Sequence, residues 1–208
     1  MRKLTPKRRS FRHLLGKDLA NRLDTHPDSA CGLWPDLTIG YVNPAWEQFA
    51  RENGGDSIHA RWSVGASFVD AIGAPLRQHF EQRLHDCFDI GSEWCSEYEC
   101  SSPSVYRAFR MDVRTLHDGA GLLIVNTCVD QHPHDRSLVR MRPDPKLYLD
   151  HDGLMHQCVH CRRVRRVGPR ETWDWVPEWV SHVPDNASGG LCPRCLSERY
   201  PDLNRHLA

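Results

Sequence analysis

Among the nine cysteines of this 208-residue chain, four fall in two Cys-x-x-Cys pairs: Cys158-Val159-His160-Cys161 and Cys192-Pro193-Arg194-Cys195. Each pair can turn two thiolates toward one point. A tetrahedral Zn²⁺ takes four such soft ligands at ~2.3 Å and leaves no position for water. The spacing therefore predicts a structural zinc site with Cys158, Cys161, Cys192 and Cys195 as ligands, and it disfavours a catalytic zinc. Pro193 stiffens the second turn, and Gly189 and Gly190 are expected to let the backbone bend tightly beside the metal. His156 and His160 flank the first pair as substitute ligands, expected to be exposed loop residues. The same thiols could instead fill a small core, form disulfides or work as a redox dithiol. Two facing pairs, rather than one at a strand-to-helix junction, favour metal.

Composition narrows the setting. Lys plus Arg and Asp plus Glu are both 27, which argues against a general nucleic-acid or membrane binder. The charge is uneven: Arg2, Lys3, Lys7, Arg8, Arg9, Arg12 and Lys17 form a basic lead-in without an acid, expected to be a solvated tail. No apolar run approaches the ~18 residues of a membrane span, and none follows the basic start as a secretory signal would require. A reducing, cytoplasmic location is expected. It suits Cys31, Cys87, Cys95, Cys100 and Cys128 as free, buried or half-buried side chains.

The elements that must carry the cysteines come next. Leu14, Leu15, Leu19 and Leu23 recur at helical spacing within residues 1–28, but the partner of that helix is not readable. Cys31 to Trp34 and Ile39 to Val42 read as a hairpin. Asn43-Pro44 reads as the cap and first turn of a helix, with Trp46, Phe49 and Ala50 on one face and Gly54-Gly55 at its end. Residues 63–72 are expected to be a short helix that turns Phe68, Val69 and Ile72 inward. A longer helix over 75–90 places Leu76, Phe80, Leu84 and Phe88 in a stripe. Three strands follow by alternation: Trp94 to Cys100, Val105 to Arg114, and Leu122 to Val129 after a His117-Asp118-Gly119 turn.

This order, with Tyr41-Val42-Asn43-Pro44-Ala45-Trp46 at the strand-to-helix junction and Asp118-Gly119 before the last strand, resembles a PAS domain over residues 29–130. The resemblance implies an α+β fold: a five-stranded antiparallel sheet with helices, around a pocket that senses a small ligand, redox state or light in many relatives. The chain has no Asn-Cys-Arg-Phe-Leu-like flavin string. His79 and His85 lie off the helix stripe and are expected at the surface, so neither flavin nor haem is assigned and the pocket ligand stays unnamed. PAS relatives often pair, so a homodimer through this domain is an expected arrangement.

Residues 131–150 carry His132-Pro133-His134, Arg140, Arg142, Pro143 and Pro145, and read as a stiff linker. Residues 151–208 then form a small zinc-knuckle module. Between its knuckles Arg162, Arg163, Arg165, Arg166 and Arg170 precede Trp173, Trp175 and Trp179, an arrangement that could grip phosphates and stack bases. Eight basic residues meet eight acidic ones from Asp150 to Ala208, and so small a module needs its tryptophans for a core. Nucleic acid is therefore not the expected partner. Both knuckles, the Trp173 to Val180 segment read as a helix, and Tyr200-Pro201 resemble a cysteine-rich element that follows PAS or receiver domains in bacterial signalling proteins. The family's Ser-His-Gly string is Ser188-Gly189-Gly190 here, so any role of that histidine is absent.

The expectation is a non-enzymatic sensor or adapter in bacterial signal transduction: a PAS domain coupled to a structural zinc module that contacts a signalling protein. No Gly-rich phosphate loop or kinase-sized region accompanies it. A zinc-dependent nucleic-acid-binding regulator and a thiol redox sensor are the alternatives.

Overall fold

In a computed structural model the chain is described over residues 10–53 and 62–204. The strands are β1 (Ser29–Leu33), β2 (Ile39–Val42), β3 (Trp94–Glu99), β4 (Val105–Leu116) and β5 (Gly121–Pro133). They form one sheet in the order β2-β1-β5-β4-β3. The apolar run Leu122-Leu123-Ile124 lies in the central strand and is buried throughout, as expected for a strand covered on both faces. β1 pairs antiparallel with β2 and with β5, in a register that sets Cys31 opposite Val42 and Ile124. The α+β fold with a five-stranded sheet and helices expected from the sequence is present.

Contacts divide the chain into two compact units: residues 1–71, 80–95 and 111–127, and residues 72–79, 96–110 and 128–208.

In the first unit, α1 (Arg12–Asp24) breaks at Gly16, whose φ of 67° and ψ of 166° are not helical. Residues twelve apart in a straight helix are ~18 Å apart. The break instead lets Arg12 grip Asp24 through two hydrogen bonds of 3.0 and 2.6 Å. α1 packs on the sheet: Phe11, Leu15, Ala20 and Leu23 meet Ala30, Tyr41 and Leu123. Gly32 is required there, because a Cβ at that position would sit 2.1 Å from Phe11 Cε1. The helix whose partner was unreadable thus covers a sheet face. Asn43 caps α2 (Pro44–Glu52) as expected, its Oδ1 accepting from Trp46 N at 2.9 Å. The same oxygen accepts from Ala30 N, and Nδ2 donates to the carbonyls of Leu23 and Asp28.

Residues 63–72 do not form the expected helix. They supply only a 3₁₀ turn at Val69–Ala71. The preceding backbone instead bonds to the hairpin: Ile39 N donates to Ala66 O and Phe68 N to Leu37 O. Phe68 and Val69 are buried as foreseen, whereas Ile72 is half-exposed. α3 (Ala74–Ile90) matches the long helix, although Cys87 rather than Phe88 completes its buried stripe. Gly54-Gly55 and the basic residues Arg2 to Arg9 lie outside the described residues. Cys95 and Cys128 are exposed, contrary to expectation: Cys95 sits on an outward position of β3, and Cys128 begins the exposed end of β5.

The second unit contains a smaller sheet of β6 (Met155–Cys158), β7 (Val164–Arg166), β8 (Thr172–Asp174) and β9 (Ala187–Gly190), in the order β8-β7-β6-β9. Three short helices join it: α4 (Pro145–Tyr148), α5 (Pro177–Ser181) and α6 (Pro193–Glu198). α7 (Pro201–Asn204) follows. The segment read as one helix from Trp173 is therefore a strand followed by a five-residue helix. Residues 131–150, expected to be a linker, carry structure of their own. β5 runs on to Pro133, Met141 N donates to Trp175 O, and Tyr148 is fully buried with Met155, Val164 and Val176. Tyr148 OH donates to Asp174 Oδ2 at 2.9 Å, an oxygen that Arg166 Nε also reaches at 2.8 Å. Burial first, then that bond, pushes the Tyr148 hydroxyl up to about 12.

Candidate metal centre

The first knuckle is the end of β6 and the turn after it. Cys158 closes the strand, and the chain reverses so that Arg162 N donates to Cys158 O and Cys158 N to Arg163 O. Arg162 lies at φ 61°, the left-handed conformation such a turn demands and one uncommon for a residue with a side chain. Gln157, nearly fully buried, steadies that turn: its Nε2 donates to the carbonyls of Arg162 and Trp179.

In the second knuckle Cys192 is the N-cap of α6 and Pro193 its first residue, the place where proline loses no hydrogen bond. β9 delivers Cys192 by pairing in parallel with β6, with Gly190 opposite Cys158 and Gly189 opposite Gln157. Gly189 serves close approach rather than bending, whereas a Cβ on Gly190 would meet nothing nearer than Trp173 at 4.0 Å. Neither has a positive φ, but a Cβ on Gly189 would lie 2.8 Å from Val159 Cγ1.

These elements bring Cys158, Cys161, Cys192 and Cys195 together, all buried, with their sulfurs within 4.8 Å of one another. Cys161 Sγ and Cys192 Sγ are 3.8 Å apart. A disulfide needs ~2.05 Å, and the edge of a tetrahedron of thiolates at ~2.3 Å from a zinc is ~3.8 Å. Backbone N–H groups already point at sulfur: Cys192 N donates to Cys158 Sγ and Cys195 N to Cys192 Sγ, each at 3.4 Å. The four thiols cannot all ionise unaided. Hydrogen bonds from Cys161, then Cys192 and Cys195, push the Cys158 thiol down. Cys161 and Cys195 are pushed up, each first by its contact with Cys158. A divalent cation resolves that conflict by taking all four as thiolates. The donor set and spacing fit a metal ion.

The flanking histidines fall elsewhere. His160 is buried, not exposed as expected: its Nδ1 lies 3.0 Å from Tyr200 OH, and burial above all lowers its pKa. His156 bonds to Asp150 at 2.6 Å. A side-chain hydrogen bond from His156 first, and one from Leu154 N next, holds the Asp150 carboxyl near 2. The sequence marked neither Gln157 nor Tyr148, and it marked Tyr200 only as part of the cysteine-rich resemblance, without its contact to His160. Spacing does not show these contacts, because the partners are 5 to 40 residues away. The tryptophans behave as core: Trp175 is 2% exposed, Trp179 packs on the Tyr148 cluster and Trp173 on the cysteines. Arg166 is committed to Asp174.

No protein-family model and no curated protein matches the chain. Solved PAS domains do match. One belongs to an HTR-like protein from Haloarcula marismortui, 18% identical, covering 53% of this chain and 94% of that one at a TM-score of 0.38. The photoactive yellow protein domain of the sensor histidine kinase Ppr from Rhodospirillum centenum is 14% identical, covers 52% and 91%, and has a TM-score of 0.35. The PAS domain of nitrogen regulation protein NR(II) from Vibrio parahaemolyticus is 15% identical, covers 55% and 100%, and has a TM-score of 0.32. These likenesses carry nothing about activity, ligand or partner. Among the described residues no helix is long and apolar enough to cross a membrane.

Proposed function

We propose that this chain is a non-enzymatic, cytoplasmic signal-transduction sensor or adapter of bacterial type, in which a PAS-like region is coupled to a structural zinc module that contacts a signalling partner. The observation that carries the reading is the closed, buried set of four cysteine sulfurs within 4.8 Å of one another. A four-thiolate shell leaves a bound ion no site for water or substrate, so the ion would act as a cross-link. Cys158, Cys161, Cys192 and Cys195 would hold it and thereby lock the end of β6 to the start of α6. Signalling would then consist of a population shift in the PAS-like region read by the partner or by a second copy. The nucleic-acid alternative is weakened by the burial of Trp175 and by the Arg166–Asp174 pair.

Two measurements test this. Elemental analysis of the purified protein is expected to give one zinc per chain, lost in a Cys192→Ser, Cys195→Ser variant; a metal-free native protein overturns the zinc assignment. In-cell crosslinking is expected to capture a protein partner from the native chain and not from that variant. If capture is indifferent to the cysteines, or the isolated chain binds DNA with a steep salt dependence, the adapter reading fails.

A further inference from the structure

Within the second unit lies a cavity of about 490 Å³ whose wall takes in Cys161, Cys192 and Cys195, inside the range of roughly 300–1,000 Å³ typical of small-molecule sites. Its wall includes Trp173 and Trp175, and around them Glu99, Arg163, Glu171, Arg194, Glu198 and Arg199.

Two of these groups are donors with nothing to donate to. Trp175 is 2% exposed, and its Nε1 is the buried side-chain nitrogen that has no hydrogen-bond partner among the described residues. Trp175 is among the residues that line the cavity, and buried polar groups are almost always paired, so its orphan indole N–H points to an acceptor supplied from outside. The other group is Arg163. Arg194 is bonded to Glu198 at 3.0 Å and Arg199 to Glu97 at 3.0 Å. The Arg163 guanidinium is half-buried, acts on Glu99 through space, and has no hydrogen bond or ion pair among the described residues. The neighbouring acids are partly engaged: Glu171 accepts from Trp173 Nε1, and Glu99 from Ser101 Oγ.

We propose that this cavity is a binding site for a small monocarboxylate with a flat apolar body, its carboxylate taken by Arg163 and the Trp175 indole N–H and its body lying along Trp173. A planar acceptor suits one guanidinium fork and one N–H. A phosphate dianion suits the site badly, because three carboxylates line the same cavity and only one guanidinium there is unpaired. The assignment goes beyond the proposed function and does not depend on which protein the chain contacts.

The test uses the whole 208-residue chain, zinc-loaded, and the assigned Trp175 Nε1–H resonance in ¹H–¹⁵N spectra. Benzoate, indole-3-acetate and inorganic phosphate are titrated separately to roughly 10 mM, a concentration at which a millimolar Kd is evident. The expected result is a saturable downfield shift of that resonance with benzoate or indole-3-acetate and none with phosphate. Binding should weaken at least about tenfold in Arg163→Met, and less in Arg163→Lys, which keeps the charge without the fork. No shift with either carboxylate, an equal or larger shift with phosphate, or undiminished binding by a folded Arg163→Met protein overturns the proposal. The titration of the native chain stands even if a variant fails to fold. The zinc assignment is judged by metal analysis, so the two readings fail separately.

Discussion

In the unit that contains α1 and β1, cohesion comes from apolar burial and one polar hub. Leu33, Leu84, Val113, Leu122 and Ile124 are fully buried, and Asn43 ties α1, β1 and α2 together through four hydrogen bonds. In the unit that contains the cysteines, Tyr148, Met155, Val164 and Val176 form an apolar cluster around the smaller sheet. The strands of that sheet, β6 to β9, are three or four residues long, and the four cysteines form a second packed group beside that cluster. A sheet of such short strands needs a staple, and four clustered thiols are one only when a cation holds them. The contrast predicts that each unit fails for its own reason.

The largest effect expected is from metal removal. Zinc in small thiolate modules contributes an apparent ~10–16 kcal/mol, so a strong chelator should abolish amide-exchange protection in β6, β7 and β9 while β1 and the first half of β5 stay protected. If both regions lost protection together, the separation would be wrong.

Next comes Asn43→Ala, which strips partners from the buried Ala30 N–H and the Leu23 carbonyl and removes a helix cap. It should lower stability by about 3 kcal/mol in urea unfolding with zinc content unchanged. Gly32→Ala, which drives a Cβ into the Phe11 ring, should lose about 2 kcal/mol. Combined with Phe11→Leu the losses should fall short of additive, since both changes act on one contact; a strictly additive pair would mean that Phe11 does not lie on β1.

The smallest effect concerns Asp24. A hydrogen bond from Arg12 first, and its charge and a bond from Tyr41 OH further, hold the Asp24 carboxyl below its ordinary 3.8. Because the folded value is depressed, this stabilisation is present above the ordinary value and is lost as pH falls through the lowered one. Asp24→Asn should therefore reduce the urea midpoint, followed by near-ultraviolet dichroism of Trp34, at about pH 5 and leave it nearly unchanged near pH 2. Equal losses at both pH values would remove the ion pair from the account.

The sequence by itself determined what local chemistry and period can specify. Two Cys-x-x-Cys pairs picked out the four cysteines that cluster, Asn43-Pro44 fixed the start of a helix, and period-two alternation placed Phe109, Met111 and Val113 on the buried face of β4. Spacing along the chain encodes those directly, because each rests on residues within one turn or one strand. What only the tertiary structure decided depends on partners far away in sequence. Residues 63–72 look helical alone but give their backbone to the hairpin at 37–39. Residues 131–150 look like a linker because Tyr148 is one aromatic in a proline-rich stretch, yet it fills the centre of the cysteine-bearing unit. Gly189 looks like a turn glycine and is instead a gap for Val159. The His160–Tyr200 bond and the unpaired Trp175 N–H exist only once the folded chain has excluded water from them, a condition that no local pattern records.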